Sequence, residues 1–109
     1  MNYNIIAVPT FKKELKKLAK KYRSLKTDLA ALFDTLETNP IQGIALGNNC
    51  YKIRIAITSK DKGKSGGARV ITNFVIADHT VFLISIYDKS EKDNLSDKEL
   101  TLLLKQVPK

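Results

Sequence analysis

This chain has one cysteine, one histidine and no tryptophan, and its 19 Lys and Arg outnumber its 11 Asp and Glu over 109 residues. A lone cysteine excludes an internal disulfide, and with a single histidine it leaves too few ordinary ligands for a structural zinc site. No metal and no cofactor is therefore expected, and a reducing cytoplasm is the natural location. Long apolar runs are also missing. The opening stretch, MNYNIIAVPTFKKELKK, is too short in its apolar part for a signal peptide, and its basic residues follow that part instead of preceding it. Export and a membrane span are both unexpected. The shortage of acids leaves a formal charge of +8 and a pI near 9.6. Such a balance favours polyanions, anionic surfaces or an acidic protein partner without choosing among them.

What is present is a cationic strand. From Cys50 to Arg69 the sequence reads CYKIRIAITSKDKGKSGGAR. Tyr51, Ile53, Ile55 and Ile57 alternate with Cys50, Lys52, Arg54, Ala56 and Thr58, and successive strand side chains take opposite faces. Lys52 and Arg54 therefore share a surface. A glycine-rich connection with Lys60, Lys62 and Lys64 then returns to apolar sequence at Arg69, so two strand ends and their link converge on one cationic patch suited to a phosphate. Lys52 and Arg54 alone would read as the polar face of an exposed strand; their grouping with Arg69 shifts the balance. A P-loop is ruled out, because its pattern needs glycine at Thr58 and a helix after the lysine. Few aromatics accompany the cations, which argues against a stacking platform for single strands.

The length fits a single domain, residues 1–109, and no repeat or linker divides it. Tyr3 to Val8 is a short Ile- and Val-containing run ended by Pro9 and predicts a strand. Phe11, Leu15, Leu18, Tyr22 and Leu25 then recur at helical spacing, with Lys12, Lys13, Lys16, Lys17, Lys20, Lys21 and Arg23 between them. This helix has a very basic outer face, a solvated surface or an RNA-facing one; Lys13, Lys16, Lys17 and Lys20 are its candidate phosphate contacts. Ser24 is placed to cap a second helix through Leu25, Leu29, Leu32, Phe33 and Leu36, stopped by Asn39-Pro40. Ile41 to Asn49 reads as a loop. After the cationic strand, Val70–Ile76 and Thr80–Tyr87 predict two more strands around a tight turn at Ala77-Asp78-His79, giving an antiparallel meander. Ser96 and Glu99 have capping-box spacing ahead of Leu100, Leu103, Leu104 and Val107, predicting a short last helix. The class is α+β: a helical hairpin on one face of a small, mainly antiparallel sheet, with a cationic cleft on the other.

This order resembles the RelE/ParE superfamily of bacterial toxins, in its RelE/HigB-like branch. The resemblance is carried by Asn39-Pro40 with Gly43, by Tyr51-Lys52-Ile53-Arg54, by Gly63-Lys64-Ser65-Gly66-Gly67-Ala68-Arg69, and by Ile86-Tyr87-Asp88-Lys89-Ser90-Glu91. It implies a small basic endoribonuclease that cuts messenger RNA on the ribosome and is held inactive by a cognate antitoxin. Operator DNA would be reached only through the antitoxin. It also implies that Lys52, Arg54, Arg69 and Lys89 occupy the cationic active-site positions. One departure is visible: where some RelE enzymes have a tyrosine after the last basic motif, this chain has Leu95. The superfamily also contains ParE-like proteins that poison DNA gyrase, and a basic nucleic-acid-binding module without catalysis is a third reading.

The chemistry can be set out from the residues themselves. RNA cleavage by side chains needs the 2′-hydroxyl deprotonated, charge at phosphorus stabilised and the leaving 5′-oxygen neutralised. His79 falls in the predicted turn, beside Asp78, and reads as a solvated turn residue. The work then falls to Lys, Arg and Tyr. Crowding by Arg54 and Arg69 favours the neutral form of Lys52 and makes it the candidate base. Arg54 and Arg69 suit the phosphate oxygens, since an arginine fork matches them and stays charged. Lys89 or Tyr87 is the candidate group at the leaving oxygen, Tyr87 being divided between core edge and site. Cys50 reads as a small buried residue, because no histidine stands by to activate it.

Overall fold

The computed structural model describes residues 2–60, 63–92 and 94–108. The first strand is β1 (Asn4–Ala7), and it is followed by helices α1 (Pro9–Lys21) and α2 (Leu25–Thr38). Pro9 opens α1, where its missing N–H costs nothing, and Lys20 and Lys21 close it, where the helix dipole favours cations. Phe11 and Leu18 are buried with Leu15 and Tyr22 beside them, and Leu25, Leu29, Leu32 and Leu36 form the buried stripe of α2. The helix ends at Thr38, with Asn39 as its C-cap before Pro40. Ser24 does occupy the N-cap position of α2, but its side chain caps no backbone N–H. Its hydroxyl instead donates to the Asp28 carboxylate at 2.9 Å and accepts from the Ser59 N–H at 2.8 Å.

Four strands then run as a meander: β2 (Ile44–Gly47), β3 (Cys50–Ile55), β4 (Ala68–Val75) and β5 (Thr80–Asp88). The sheet order is β1-β5-β4-β3-β2, with β1 parallel to β5 and every other pair antiparallel. The two helices thus carry the chain from one sheet edge to the other. β2 is a departure from the sequence reading, which gave Ile41 to Asn49 as loop. Asn48 and Asn49, with φ of 55° and 60°, make the two-residue left-handed turn that closes the β2–β3 hairpin. The side-chain amide of Asn73 braces that turn by donating to the Asn48 carbonyl at 3.0 Å.

Cross-strand rows define the two faces. Ile53, Val70 and Ile86 stand in one row, and Ile55, Ala68 and Asp88 in another. Alternation puts both on one face, where Tyr22 at the end of α1 donates to Asp88 at 2.5 Å. Lys52, Ile71 and Ser85 form a row on the opposite face, and Arg54, Arg69 and Tyr87 form its neighbour. The last helix, α3 (Asp97–Leu104), packs against β5 and carries the complete capping box of Ser96 and Glu99. Gln106 ties it back to α1 by accepting the Thr10 N–H at 3.0 Å.

β1 stops at Ala7, so the edge of β5 beyond Leu83 has no strand beside it. Glu14 covers this edge: its carboxylate accepts from the Ser85 hydroxyl at 2.9 Å and the Ile86 N–H at 3.3 Å. Burial raises the pKa of Glu14, and these two hydrogen bonds offset part of that effect.

Candidate functional site

The alternating strand and the two strands after it bring the expected cations together. Arg54, Arg69 and Tyr87 lie directly across from one another on β3, β4 and β5. At about 4.8 Å between strands, their Cα atoms fit within roughly 10 Å. Lys52 lies one pleat along from Arg54 on the same face, about 7 Å away, and its ammonium reaches Asn94 Oδ1 at 3.4 Å. The row runs from solvent inward: Arg54 is exposed, whereas Arg69 and Tyr87 are 3% and 6% exposed. Arg69 is oriented by backbone, its Nη1 donating to the carbonyls of Lys64 at 2.9 Å and Ala68 at 3.1 Å. Burial first, and Arg54 second, lower the pKa of Arg69, from a value so high that the guanidinium stays charged.

A groove of about 740 Å³ adjoins this row. It lies between α2 and the part of β3 that β2 leaves uncovered, since β2 pairs only as far as Ile44 with Lys52. Lys52, Arg54 and Lys64 all line it, so Lys64 joins the cluster as expected. Two glycines allow this packing. A Cβ on Gly43 would stand 2.2 Å from the Lys52 carbonyl oxygen, and one on Gly67 would stand 2.0 Å from that of Ile55.

Lys60 does not join the cluster. Its ammonium is paired with Asp88 at 2.9 Å, with 11% of its side chain exposed, and sits 5.2 Å above the Tyr22 ring. A cation enclosed in this way is committed to the fold, which removes it from the phosphate contacts read in the sequence. Lys62 lies outside the described residues. Lys89 stands in the turn just after β5, half-buried, with its N–H donating to the Gly67 carbonyl at 3.0 Å beside the start of β4. His79 is not a solvated turn residue. It takes the left-handed conformation at the β4–β5 turn and stacks on Tyr3 at 4.0 Å, about 25 Å along β5 from Tyr87. Cys50 is fully buried as expected, and burial pushes its thiol pKa up.

The helix cations divide into two stripes. Lys12, Lys16, Lys20 and Arg23 line a second groove of about 640 Å³ with Lys26 of α2, over Leu15 and Ala19. Lys17 and Lys21 turn the other way, toward Asp88 and Glu91, and Lys21 pairs with Glu91 at 2.9 Å. Lys16 and Lys20 of the expected quartet are thus in the groove, and Lys13 and Lys17 are not among its lining residues. Two residues that sequence reasoning passed over stand at the cleft. They are Lys92, whose ammonium lies 5.6 Å from the Tyr87 ring centroid, and Asn94.

A family model described as the RelE toxin of the RelE/RelB toxin-antitoxin system matches residues 9–108. The chain belongs to this family. Solved RelE structures share its fold. A mutant of the E. coli toxin RelE in the free state superposes with a TM-score of 0.64 at 19% identity, covering 99% of this chain and 100% of that one. The isolated E. coli RelE toxin gives 0.55 at 21%, covering 96% and 99%. The RelBE2 toxin-antitoxin complex of Mycobacterium tuberculosis gives 0.54 at 14%, covering 81% and 92%. In this RelE-family chain Leu95 is half-buried, in a depression it shares with Glu14, Ser85, Lys92 and Glu99. Tyr87 is the tyrosine on the cationic face.

Proposed function

We propose that this RelE-family toxin is an endoribonuclease that cleaves messenger RNA on the ribosome, in the cytoplasm, using side chains alone. The observation that carries the reading is the Arg54–Arg69–Tyr87 row with Lys52 one pleat away and Lys64 on the same groove. In the reaction, the ribose 2′-oxygen bonds to the adjacent phosphorus as the bond to the 5′-oxygen breaks. Lys52 takes the 2′ proton. Arg54 and Arg69 hold the phosphate oxygens as their charge grows. Tyr87 or Lys89 supplies the proton to the 5′-oxygen.

The partner is a cognate antitoxin with an acidic, partly disordered segment that neutralises the cleft and covers apolar surface around it. The RelBE2 toxin-antitoxin complex, which shares the fold, supports a cognate antitoxin as the partner.

Expression in bacterial cells, with mapping of new RNA 5′ ends and of gyrase-linked DNA breaks, tests the activity. RNA ends within coding frames, undiminished by chelator in a purified reaction, are the expected result. Trapped DNA breaks without RNA ends would assign the chain to gyrase poisoning, and neither product would leave only a binding module. Arg54→Ala, on an exposed side chain, should lower cleavage about a hundredfold without loss of fold.

A further inference from the structure

We infer that Lys92 is a further substrate-contacting cation of the cleft, placed at the Tyr87 end of the row by Glu99 of the α3 capping box. The inference rests on the nuclease reading for its substrate, RNA phosphate, but its geometry is independent of that reading.

Lys92 is fixed at both ends. Its backbone N–H donates to the Asp88 carbonyl at 3.1 Å. Asp88 in turn is immobilised by Tyr22, Lys60 and the backbone and hydroxyl of Ser90. At the other end, the Lys92 ammonium pairs with Oε2 of Glu99. Glu99 is the N3 residue of α3, and its other oxygen, Oε1, accepts the Ser96 N–H at 3.1 Å. One carboxylate therefore closes the helix cap and tethers the lysine.

The pair is partly solvent-exposed, at 35% for Lys92 and 43% for Glu99. Exposed ion pairs contribute little to stability, so its consequence lies in where it holds the ammonium. That place is over the face of Tyr87, the β5 end of the Arg54–Arg69–Tyr87 row. An ammonium has three N–H donors. Glu99 takes one, and we assign another to a phosphate oxygen lying along the row. Lys92 thus extends the cationic line past Tyr87, and Glu99 acts as a positioning residue. Its effect depends on α3 being folded, because the capping box sets its rotamer.

The test compares Lys92→Met, Lys92→Arg, Glu99→Gln and the Lys92→Met/Glu99→Gln double variant with wild type and Arg54→Ala. Readouts are binding of a non-cleavable 2′-O-methyl RNA oligonucleotide, cleavage of the matching RNA, and helix content. Lys92→Met should weaken binding about tenfold and lower cleavage further, with Lys92→Arg recovering most of both. Glutamine serves the capping box as glutamate does. Glu99→Gln should therefore keep helix content and still lower cleavage several-fold, and it should add nothing in the double variant. Wild-type binding and cleavage by Lys92→Met, alongside loss of both in Arg54→Ala, would overturn the assignment and leave the nuclease reading intact. Additive losses in the double variant would overturn the role of Glu99. Weakened binding by Lys92→Met in a protein that cleaves no RNA would support the site and overturn the nuclease reading.

Discussion

At the scale of single residues, an acid on the opposite face of the sheet keeps one cation out of the cleft. Asp88, 1% exposed, accepts from Tyr22 at 2.5 Å, Lys60 at 2.9 Å, the Ser90 N–H at 3.0 Å and the Ser90 hydroxyl at 2.8 Å. Burial alone would raise its pKa; these donors outweigh burial and hold it well below the usual carboxylate range. A carboxyl depressed by folding contributes stability that is present above its unfolded value, near 3.9, and lost as pH falls toward the folded one. Asp88→Asn leaves the Lys60 ammonium enclosed without a counter-charge, and should cost about 3 kcal/mol at pH 7. Denaturant unfolding at pH 7 and pH 3 checks both points: wild type should lose stability below pH 4, and the variant should lose less over the same interval. Lys60→Gln should lower stability as well, with RNA affinity unchanged. Lys52, Arg54 and Arg69 were legible in the sequence because strand alternation and register are local properties. Asp88, Lys92 and Glu14 were not, since each acquires its role only when a loop or helix distant in sequence folds against β5.

At the scale of elements, α1, α2, β3, β4, β5 and α3 follow from periodicity, breakers and the capping box. β2 did not, because it is four residues long and mostly exposed, and alternation needs a longer run to show. Its signal was the Asn48-Asn49 pair, which tolerates the left-handed turn. The hairpin matters to the site through Gly43, which packs against the Lys52 backbone. Gly43→Ala meets a positive φ of 89° and a carbonyl oxygen 2.2 Å from the new Cβ. Gly47 has the same φ with nothing within 4 Å of a Cβ. Gly47→Ala should therefore cost only the conformational strain, about 1 kcal/mol. Gly43→Ala should cost about 2–4 kcal/mol and displace Lys52, lowering cleavage in the protein that remains folded. Thermal unfolding of the two variants separates the clash from the strain; equal losses would mean that Lys52 yields freely and that its backbone position is not set by this contact.

At the scale of the whole molecule, the charge of +8 is spread over separate surfaces. The cleft concentrates Lys52, Arg54, Arg69 and Lys64, while Lys12, Lys16, Lys20, Arg23 and Lys26 line their own groove on the helices. Lys12, Lys16 and Lys20 recur every four residues, so they step along α1 at about 6 Å per cation. Arg23 and Lys26 flank the start of α2, where the helix dipole disfavours positive charge. A stripe of this kind holds a polyanion without contacting its bases. Replacing all five by Gln should weaken RNA binding and flatten its salt dependence by about 0.7 for each phosphate no longer neutralised, up to about 3.5, with the cleaved sequence unchanged. Replacing Lys17 and Lys21 removes two charges from the other flank. Lys21 is already paired with Glu91, so the slope should change far less per charge removed. Binding measured from 50 to 200 mM salt distinguishes the two sets. An equal effect per charge from both flanks would mean that RNA responds to the net charge alone, and that the groove over Leu15 and Ala19 is a solvated face.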